Sequence, residues 1–352
     1  MAYTPHDVVK PEKIAATAAV ALEESLVVPA VFARKGIDEF KGAADDTINV
    51  RVEGVLPYRT YGWRNDRSTE IKFDTYRERT VSVKFGGDVY SGVQLTDEQN
   101  DMDLDGWAKL MAKQTEAVGK GLEYQAVDYL LGAPYEITLG GAVAGRSLRR
   151  TLIRAREVLN KLRVPKEGRT LLVGSGWENE LLSDPDLNLA SHVGESEAVS
   201  ALREATLGRR YGFNIISSDE LPADFAVAMV SSAFIFATGA PSVPGSVPFG
   251  ASASYKDIAL RWIRDYDSAH LMDRSIVNTY KGFRTVTDLL VGRDSQNPNQ
   301  GFVSEHEHFV RAIRLDLDAA SDVLPDPDGP DTKAQELAAI TGIAAAPDGA
   351  TV

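Results

Sequence analysis

Few side chains in this chain have the types and spacing that chemistry needs. Val173-Gly-Ser-Gly-Trp177 lies between an apolar run and a helical pattern, where a dinucleotide loop would lie. Asn179 holds the place of the third glycine, and no Gly-Lys-Ser/Thr follows to cradle a phosphate. Ser175 fails as an elbow nucleophile, because Val173 stands where that turn needs a glycine. A strand-to-helix turn is the expectation there. His306-Glu-His308 would place two imidazoles on one face of a strand. Zinc needs a third ligand and the helical His-Glu-x-x-His spacing is absent, so two exposed histidines in an acidic tail are expected. His192 and His270 have no serine or aspartate at a telling distance.

Arg146, Arg149, Arg150, Arg154, Arg156, Lys161, Arg163, Lys166 and Arg169 form a basic stretch relieved only by Glu157 and Glu167. Such a stretch could face a polyanion. No aromatic residues interleave and the whole chain is acidic, which favours a solvated or salt-bridged helix face. With no cysteine, disulfides, thiolate metal sites and cysteine nucleophiles are excluded. The chain therefore yields no catalytic set, no cofactor site and no metal site.

Its 352 residues allow two ordinary domains or one elongated domain with extensions. A hydrophobic fraction of 43% with 25% charged residues suits a soluble globular protein. The formal charge of −13 argues against wholesale binding of nucleic acid or anionic membrane. The N-terminus lacks the pattern of a secretory signal. Its most apolar window, Ile14 to Val31, contains Glu23, Glu24 and Pro29, so it makes a poor membrane span. Cytoplasmic synthesis is expected.

Periodicity supplies the framework. Pro11 to Leu26 reads as a helix with Ile14, Ala18, Leu22 and Leu26 on one stripe. Thr47 to Glu53 reads as a strand, and Thr80 to Leu95 as one long strand. Thr96 with Asp97 and Glu98 signals a helix start. Leu104, Trp107, Met111, Val118, Leu122, Ala126 and Tyr129 then recur at helical spacing. Gly119 and Gly121 inside that rod predict a bend or close packing. Ser147 to Arg163 and Trp177 to Leu182 read as helices, with a further helical piece near Glu197 to Leu207. Thr170 to Val173, Phe213 to Ser217, Phe225 to Val230, Phe234 to Ala237, Ala253 to Ile263, His270 to Met272 and Ser275 to Tyr280 read as strands.

Two stretches look like appendages. Pro57 to Arg79 is too long for a hairpin loop and too rich in Tyr, Phe and Ile for a linker. It holds six basic residues (Arg59, Arg64, Arg67, Lys72, Arg77, Arg79), four acidic ones and Tyr58, Tyr61, Trp63, Phe73 and Tyr76. Such an arm has little core of its own and is expected to find its partner on another chain. Interfaces favour Tyr, Trp and Arg as anchors, so Arg59, Tyr61, Trp63, Arg64, Arg67, Lys72, Tyr76 and Arg77 are the expected intersubunit contacts. The second stretch, Asp294 to Val352, carries 11 acidic residues against three basic ones and the break Pro325-Asp-Pro-Asp-Gly-Pro330. Phe309 to Leu317 could form one strand, but the tail is expected to be peripheral to the core.

Six stretches, in this order, carry a resemblance: Ala21-Leu-Glu-Glu-Ser-Leu-Val-Val-Pro29, Asp46-Thr-Ile-Asn-Val-Arg-Val52, Val93-Gln-Leu-Thr-Asp-Glu98, Phe249-Gly-Ala-Ser-Ala-Ser-Tyr255, Leu260-Arg-Trp-Ile-Arg-Asp-Tyr-Asp267 and Asp273-Arg-Ser-Ile-Val-Asn-Thr-Tyr280. Together they resemble the tailed-phage major capsid proteins of the Hong Kong 97 type, in particular the coat proteins common among phages of actinobacteria. The resemblance covers about residues 12–291. It implies an α+β chain with an N-terminal arm (1–46), an extended E-loop hairpin with flanking strands (47–95), a P-domain whose first part holds the long spine helix (96–184), an A-domain (185–265), a P-domain return (266–292) and an acidic C-terminal extension (293–352).

The function it implies is an icosahedral shell around double-stranded DNA, in the virion, built from hexameric and pentameric capsomers of this chain. Scaffolding, portal and decoration proteins would be partners, with no sequence-specific DNA binding, no cofactor and no membrane. Some relatives crosslink an E-loop lysine to a neighbour's asparagine; here Lys72 and Asn278 would be the candidates. An encapsulin-like nanocompartment shares the fold and is the nearest alternative. A soluble enzyme with a phosphate loop at Gly174 to Gly176 is the distant one.

Overall fold

The computed structural model describes residues 11–36, 47–61, 63, 70–76, 78–99, 107–183, 208–247, 249–293 and 299–344. The first elements are α1 (Pro11–Ser25), the single turn α2 (Val28–Val31), β1 (Ala33–Lys35), β2 (Thr47–Val52), β3 (Arg79–Lys84), β4 (Gly87–Thr96) and α3 (Trp107–Leu131). Next come β5 (Thr138–Gly140), α4 (Leu148–Lys161), β6 (Arg169–Val173), α5 (Ser175–Ser183), β7 (Arg209–Arg210), β8 (Phe213–Ser217), β9 (Phe225–Val230) and β10 (Phe234–Gly239). The chain ends with β11 (Phe249–Tyr255), β12 (Ile258–Asp267), β13 (Met272–Thr285), β14 (Val291–Arg293), β15 (Gly301–Val303), β16 (Ala312–Asp316) and α6 (Thr332–Thr341).

Two units result. The first draws on Met1–Asn49, Ser82–Gly132 and Phe234–Arg284. Its sheet has the order β1-β10-β13-β12-β11, and β4 also pairs with β13. The rod α3 has 25 residues, about 38 Å at 1.5 Å each. Its glycines serve close packing: a Cβ on Gly119 would stand 2.5 Å from Ser25 Oγ of α1, and one on Gly121 would stand 2.9 Å from Val89 Cγ1 of β4. Thr96 and Gln99 reciprocally bond their backbone and side chains (3.3 and 3.4 Å), a capping box at the expected helix start. Buried Glu123 of α3 accepts the Val27 and Val28 amides at 3.1 and 2.9 Å, so the rod itself caps α2. Gln114 of α3 donates to Ser91 O (3.1 Å) and Ser275 O (2.9 Å), fixing the rod across β4 and β13.

The second unit draws on Val50–Val81, Ala133–Ala233 and Thr285–Val352. Its sheet has the order β5-β16-β9-β6-β8-β7. Leu152, Ala155, Val158 and Leu159 of α4, Trp177 and Leu181 of α5 and Leu171 and Val173 of β6 share one core. β6 is buried at all five positions, as a central strand covered on both faces must be.

The structure corrects several expectations. The run Thr80 to Leu95 is two strands, because Gly87 turns at φ +148° and Gly86 N donates to Lys281 O at 2.8 Å. Ala253 to Ile263 is a hairpin whose turn residues Lys256 and Asp257 both have positive φ, +46° and +63°. His270 lies in a turn, and β13 begins at Met272.

The tail is the largest correction. β16 runs parallel to β5 and antiparallel to β9, inside the sheet of the second unit. Ile313, Leu315, Leu337 and Ile343 are buried in that core, and Ala312 is buried beside them. Its acidity misled because the carboxylates lie beside the apolar run, several of them paired, and leave the buried positions apolar. The expected boundaries at 184 and 265 also differ from the observed division. Strand pairing draws β11 and β12 into the first unit and β6 into the second, whose core also takes in α4 and α5. The helical piece near Glu197 to Leu207 and residues 1–10 lie outside the described residues.

Candidate assembly surface

β2 and β3 pair as a two-stranded sheet at the base of the arm. The two legs above it are tied by Arg59, whose Nε and Nη2 reach Asp74 Oδ2 and Oδ1 at 3.1 and 2.6 Å. That hydrogen bond holds the Asp74 carboxyl below the usual carboxylate range and raises the guanidinium. Gly54 N donates to the Tyr76 hydroxyl at 3.3 Å, a second tie between the legs.

The lower arm is also bound to the C-terminal stretch of its own unit. Thr60 N donates to Asn299 O (3.1 Å) and Gly301 N to Tyr58 O (2.7 Å), a short antiparallel pairing. Gly301 is required there, since a Cβ would stand 2.8 Å from the Tyr58 ring. Arg79 pairs with Glu307 and donates to Thr287 O at 3.3 Å.

Above these ties several large apolar side chains of the described residues are exposed. Trp63 is 90% and Phe73 92% exposed, with Ile71 at 61% and Tyr76 at 50%. Leaving side chains of this size in water forfeits the stabilisation that burial would give, about 1.5–3 kcal/mol for a residue such as Phe. Of the expected contacts, Arg59 is occupied by Asp74, and Tyr61, Trp63, Lys72 and Tyr76 are exposed. Arg64, Arg67 and Arg77 lie outside the described residues. Ile71 joins Phe73 two positions on, the spacing that puts both on one face of an extended chain.

The chemical candidates resolve differently. Gly174 and Gly176 admit the Pro222–Ala223 backbone: a Cβ on Gly176 would stand 2.6 Å from Ala223 O. Gly174 N and Trp177 N donate to Phe225 O and Ala223 O at 3.0 and 3.2 Å, so the turn spends these amides on its own chain, as a close-packed strand-to-helix turn does. His308 is not exposed. It is fully buried, with Nδ1 2.8 Å from Glu136 Oε2. Glu136 also takes Lys333 Nζ (2.6 Å) and Phe309 N (2.7 Å), while Glu336 accepts the Glu305 and His306 amides and His306 Nδ1 (2.5, 3.1 and 3.0 Å). This clasp links α6 to the strand region, and no sequence spacing announced it. Among the described residues no group of acidic and histidine side chains is arranged to hold a metal.

In the basic stretch Arg146 pairs with Asp322 (2.5 Å), and Arg154 and Lys161 with Glu157 (2.8 and 3.2 Å). Asn278, the possible crosslink acceptor, is buried. It donates to Asp88 Oδ2 at 2.7 Å and accepts from Arg261 Nε at 3.0 Å, so its amide is already engaged.

Residues 88–285 match the model of a family described as phage capsid protein. No curated protein sequence matches the chain. Among solved structures, the fold is similar to one from Mycobacterium phage Che8, with TM-score 0.57 and 15% identity over 82% of this chain and 90% of that one. It is also similar to the capsid of cyanophage P-SCSP1u, with TM-score 0.57 and 11% identity over 91% of this chain and 92% of that one. The mature capsid of bacteriophage PhiM1 gives TM-score 0.54 and 10% identity over 83% of this chain and 87% of that one. These identities speak to the fold alone, and the fold is α+β of the Hong Kong 97 type. The family match spans more than half of the sequence and covers the rod, the first unit's long strands and the central strands of the second unit, so this chain belongs to the phage capsid protein family.

Proposed function

We propose that many copies of this chain assemble, without catalysis, into the icosahedral shell that encloses a tailed phage's double-stranded DNA. The observation that carries this reading is the bare arm tip, with Trp63 and Phe73 almost wholly in water. Hexameric and pentameric capsomers supply those partners, and scaffolding, portal and decoration proteins complete the shell. Synthesis takes place in the host cytoplasm. A net charge of −13 suits a wall that must release packed DNA, since a strongly basic one would hold it through counterion release. Among the described residues no helix is long and apolar enough to cross a membrane.

The test is sizing and negative-stain imaging of the purified chain beside a Trp63→Ser, Phe73→Ser variant. Capsomers or closed shells are expected from the first. The variant should melt like the parent and assemble at least ~10-fold less, since interface aromatics of this kind cost more than ~1.4 kcal/mol on truncation. A stable monomer that turns over a small substrate would overturn the reading.

A further inference from the structure

On the β6–β8 side of its sheet the second unit is charge-polarised along its strands. β6 and β8 run parallel, so their first residues share one end and their last residues the other. At the first end stand Arg156, Arg163, Lys166 and Arg209, all exposed. They surround buried Arg169, which donates to Pro165 O, Val164 O and Asn160 Oδ1 at 2.8, 2.7 and 3.0 Å. Burial, and then the field of neighbouring Arg156, lower the proton affinity of Arg169. Gly212 of the β7–β8 turn lies against the Arg156 guanidinium, 3.7 Å from the position its Cβ would take. Among the described residues the four exposed cations make no ion pair. Glu157 is taken by Arg154 and Lys161, which leaves exposed Glu167 as the other carboxylate between Arg156 and Arg169.

The opposite end carries the opposite sign. Beyond Val173 and Ser217 the chain presents Glu178 and Glu180 of α5 and Asp219, Glu220 and Asp224 of the β8–β9 link. Trp177 Nε1 donates to Asp224 O at 2.8 Å and Trp177 N to Ala223 O at 3.2 Å, which joins the two segments into one surface. Residues 174–183 and 217–224 hold these five carboxylates and no Lys or Arg. A five-residue strand sets the two ends about 17 Å apart.

We infer that the cationic end of one copy docks on the acidic end of the next, a head-to-tail contact repeated around a ring. The inference rests on the shell-forming reading and names a second surface that it uses. Two different patches meeting make a heterologous contact, which closes into rings when the rotation permits. Complementary charge steers such encounters and rejects a reversed partner, because like ends repel. A second copy suits this end better than a polyanion, since a nucleic acid lying along the unit would run from four exposed cations onto five carboxylates.

Two charge-reversed full-length chains test it, one carrying Arg156→Glu, Lys166→Glu and Arg209→Glu, the other Glu180→Lys, Asp219→Lys and Glu220→Lys. Circular dichroism and melting confirm that each is folded, and native mass spectrometry and sedimentation velocity read assembly. Each alone is expected to form at least ~10-fold fewer rings than the parent chain, a change equivalent to ~1.4 kcal/mol. An equimolar mixture should regain even-membered rings with alternating copies, because every contact again joins opposite charges. Variants that assemble like the parent overturn this contact and leave the shell reading standing. Folded variants whose mixture stays unassembled overturn it too. A first variant that assembles normally but loses retention on double-stranded DNA assigns the cationic end to nucleic acid instead. A parent chain that forms no oligomer counts against both readings.

Discussion

The arm and the C-terminal stretch look alike as sequence, and the structure gives them opposite fates. Both are charged, and both are broken by Pro or Gly. The arm has the larger apolar side chains, yet Trp63 and Phe73 stand in water. The tail has the excess of acid, yet Phe309, Ala312, Ile313 and Leu315 are buried. The difference lies in what each backbone pairs with. Above Thr60 no strand or layer among the described residues covers Trp63 and Phe73, which stay in water. β16 has a strand on each side, and its backbone groups and its apolar positions are satisfied together. Burial follows the pattern of a few positions and the available partner, not the average composition of a segment.

Truncation after Val291 is the severest way to break this comparison. Removing β16 takes a middle strand from the six-stranded sheet and exposes β9 and β5. The truncated chain is expected to lose the cooperative melting of the second unit and to precipitate through its bared strand edges. The milder Leu315→Ala should cost about 2–5 kcal/mol, as for other fully buried leucines. A truncated subunit that melts with the full-length chain would return the tail to the status of an appendage.

The clasp around Glu136 gives the next effect. Burial pushes the Glu136 carboxyl up, but the bonds from His308, Lys333 and the Phe309 amide outweigh it and hold the group below its usual range. Burial likewise opposes, and hydrogen bonds outweigh, in Glu336 and in Asp322, which Arg146 and the Gly140 amide hold down. Folded values below the unfolded ones mean stabilisation that is complete above the ordinary carboxylate range and is lost as pH falls through the folded values. Denaturant melts should therefore show the second unit weakening below about pH 4.5. Glu136→Gln is expected to lower stability near pH 7 by about 2–3 kcal/mol and to flatten part of the acid dependence. An unchanged acid slope would show that the clasp does not anchor α6.

Much of this architecture is legible in the residues. The stripe of Ile14, Ala18 and Leu22, the rod from Trp107 and the uniformly apolar strands at Leu171 and Phe225 announce themselves by period. The hairpin at Lys256-Asp257 does not, because neither residue advertises positive φ as glycine would. The clasp is illegible for another reason. Glu136 and His308 are 172 positions apart, and only the pairing of β5 with β16 brings them together. The arm's exposure was foreseeable from its length and aromatic content, whereas its pairing with Asn299 to Gly301 was not, since backbone bonds leave no mark on side-chain pattern.

The smallest effect on folding, and the sharpest on the comparison, is expected at Arg59. Its pair with Asp74 is bidentate but lies on the surface, where solvent screens the attraction. Arg59→Ala should leave the melting temperature of the subunit within measurement error, because nothing buried depends on the pair. It removes a bidentate side-chain tie between the arm's legs, so the part that bears Trp63 and Phe73 is held less firmly when a partner arrives. Binding must then supply the ordering that the fork had supplied in advance. The measurement is the protein concentration at half-assembly, read by light scattering for Arg59→Ala and for Arg59→Lys. Lysine keeps the charge and loses the planar fork, so it should lie nearer alanine than the parent. If both substitutions assemble like the parent while Trp63→Ser, Phe73→Ser does not, the arm's function resides in its apolar tip and its legs need no prior alignment. If Arg59→Ala lowers the melting temperature instead, the arm is part of the fold, and its contrast with the tail is one of degree.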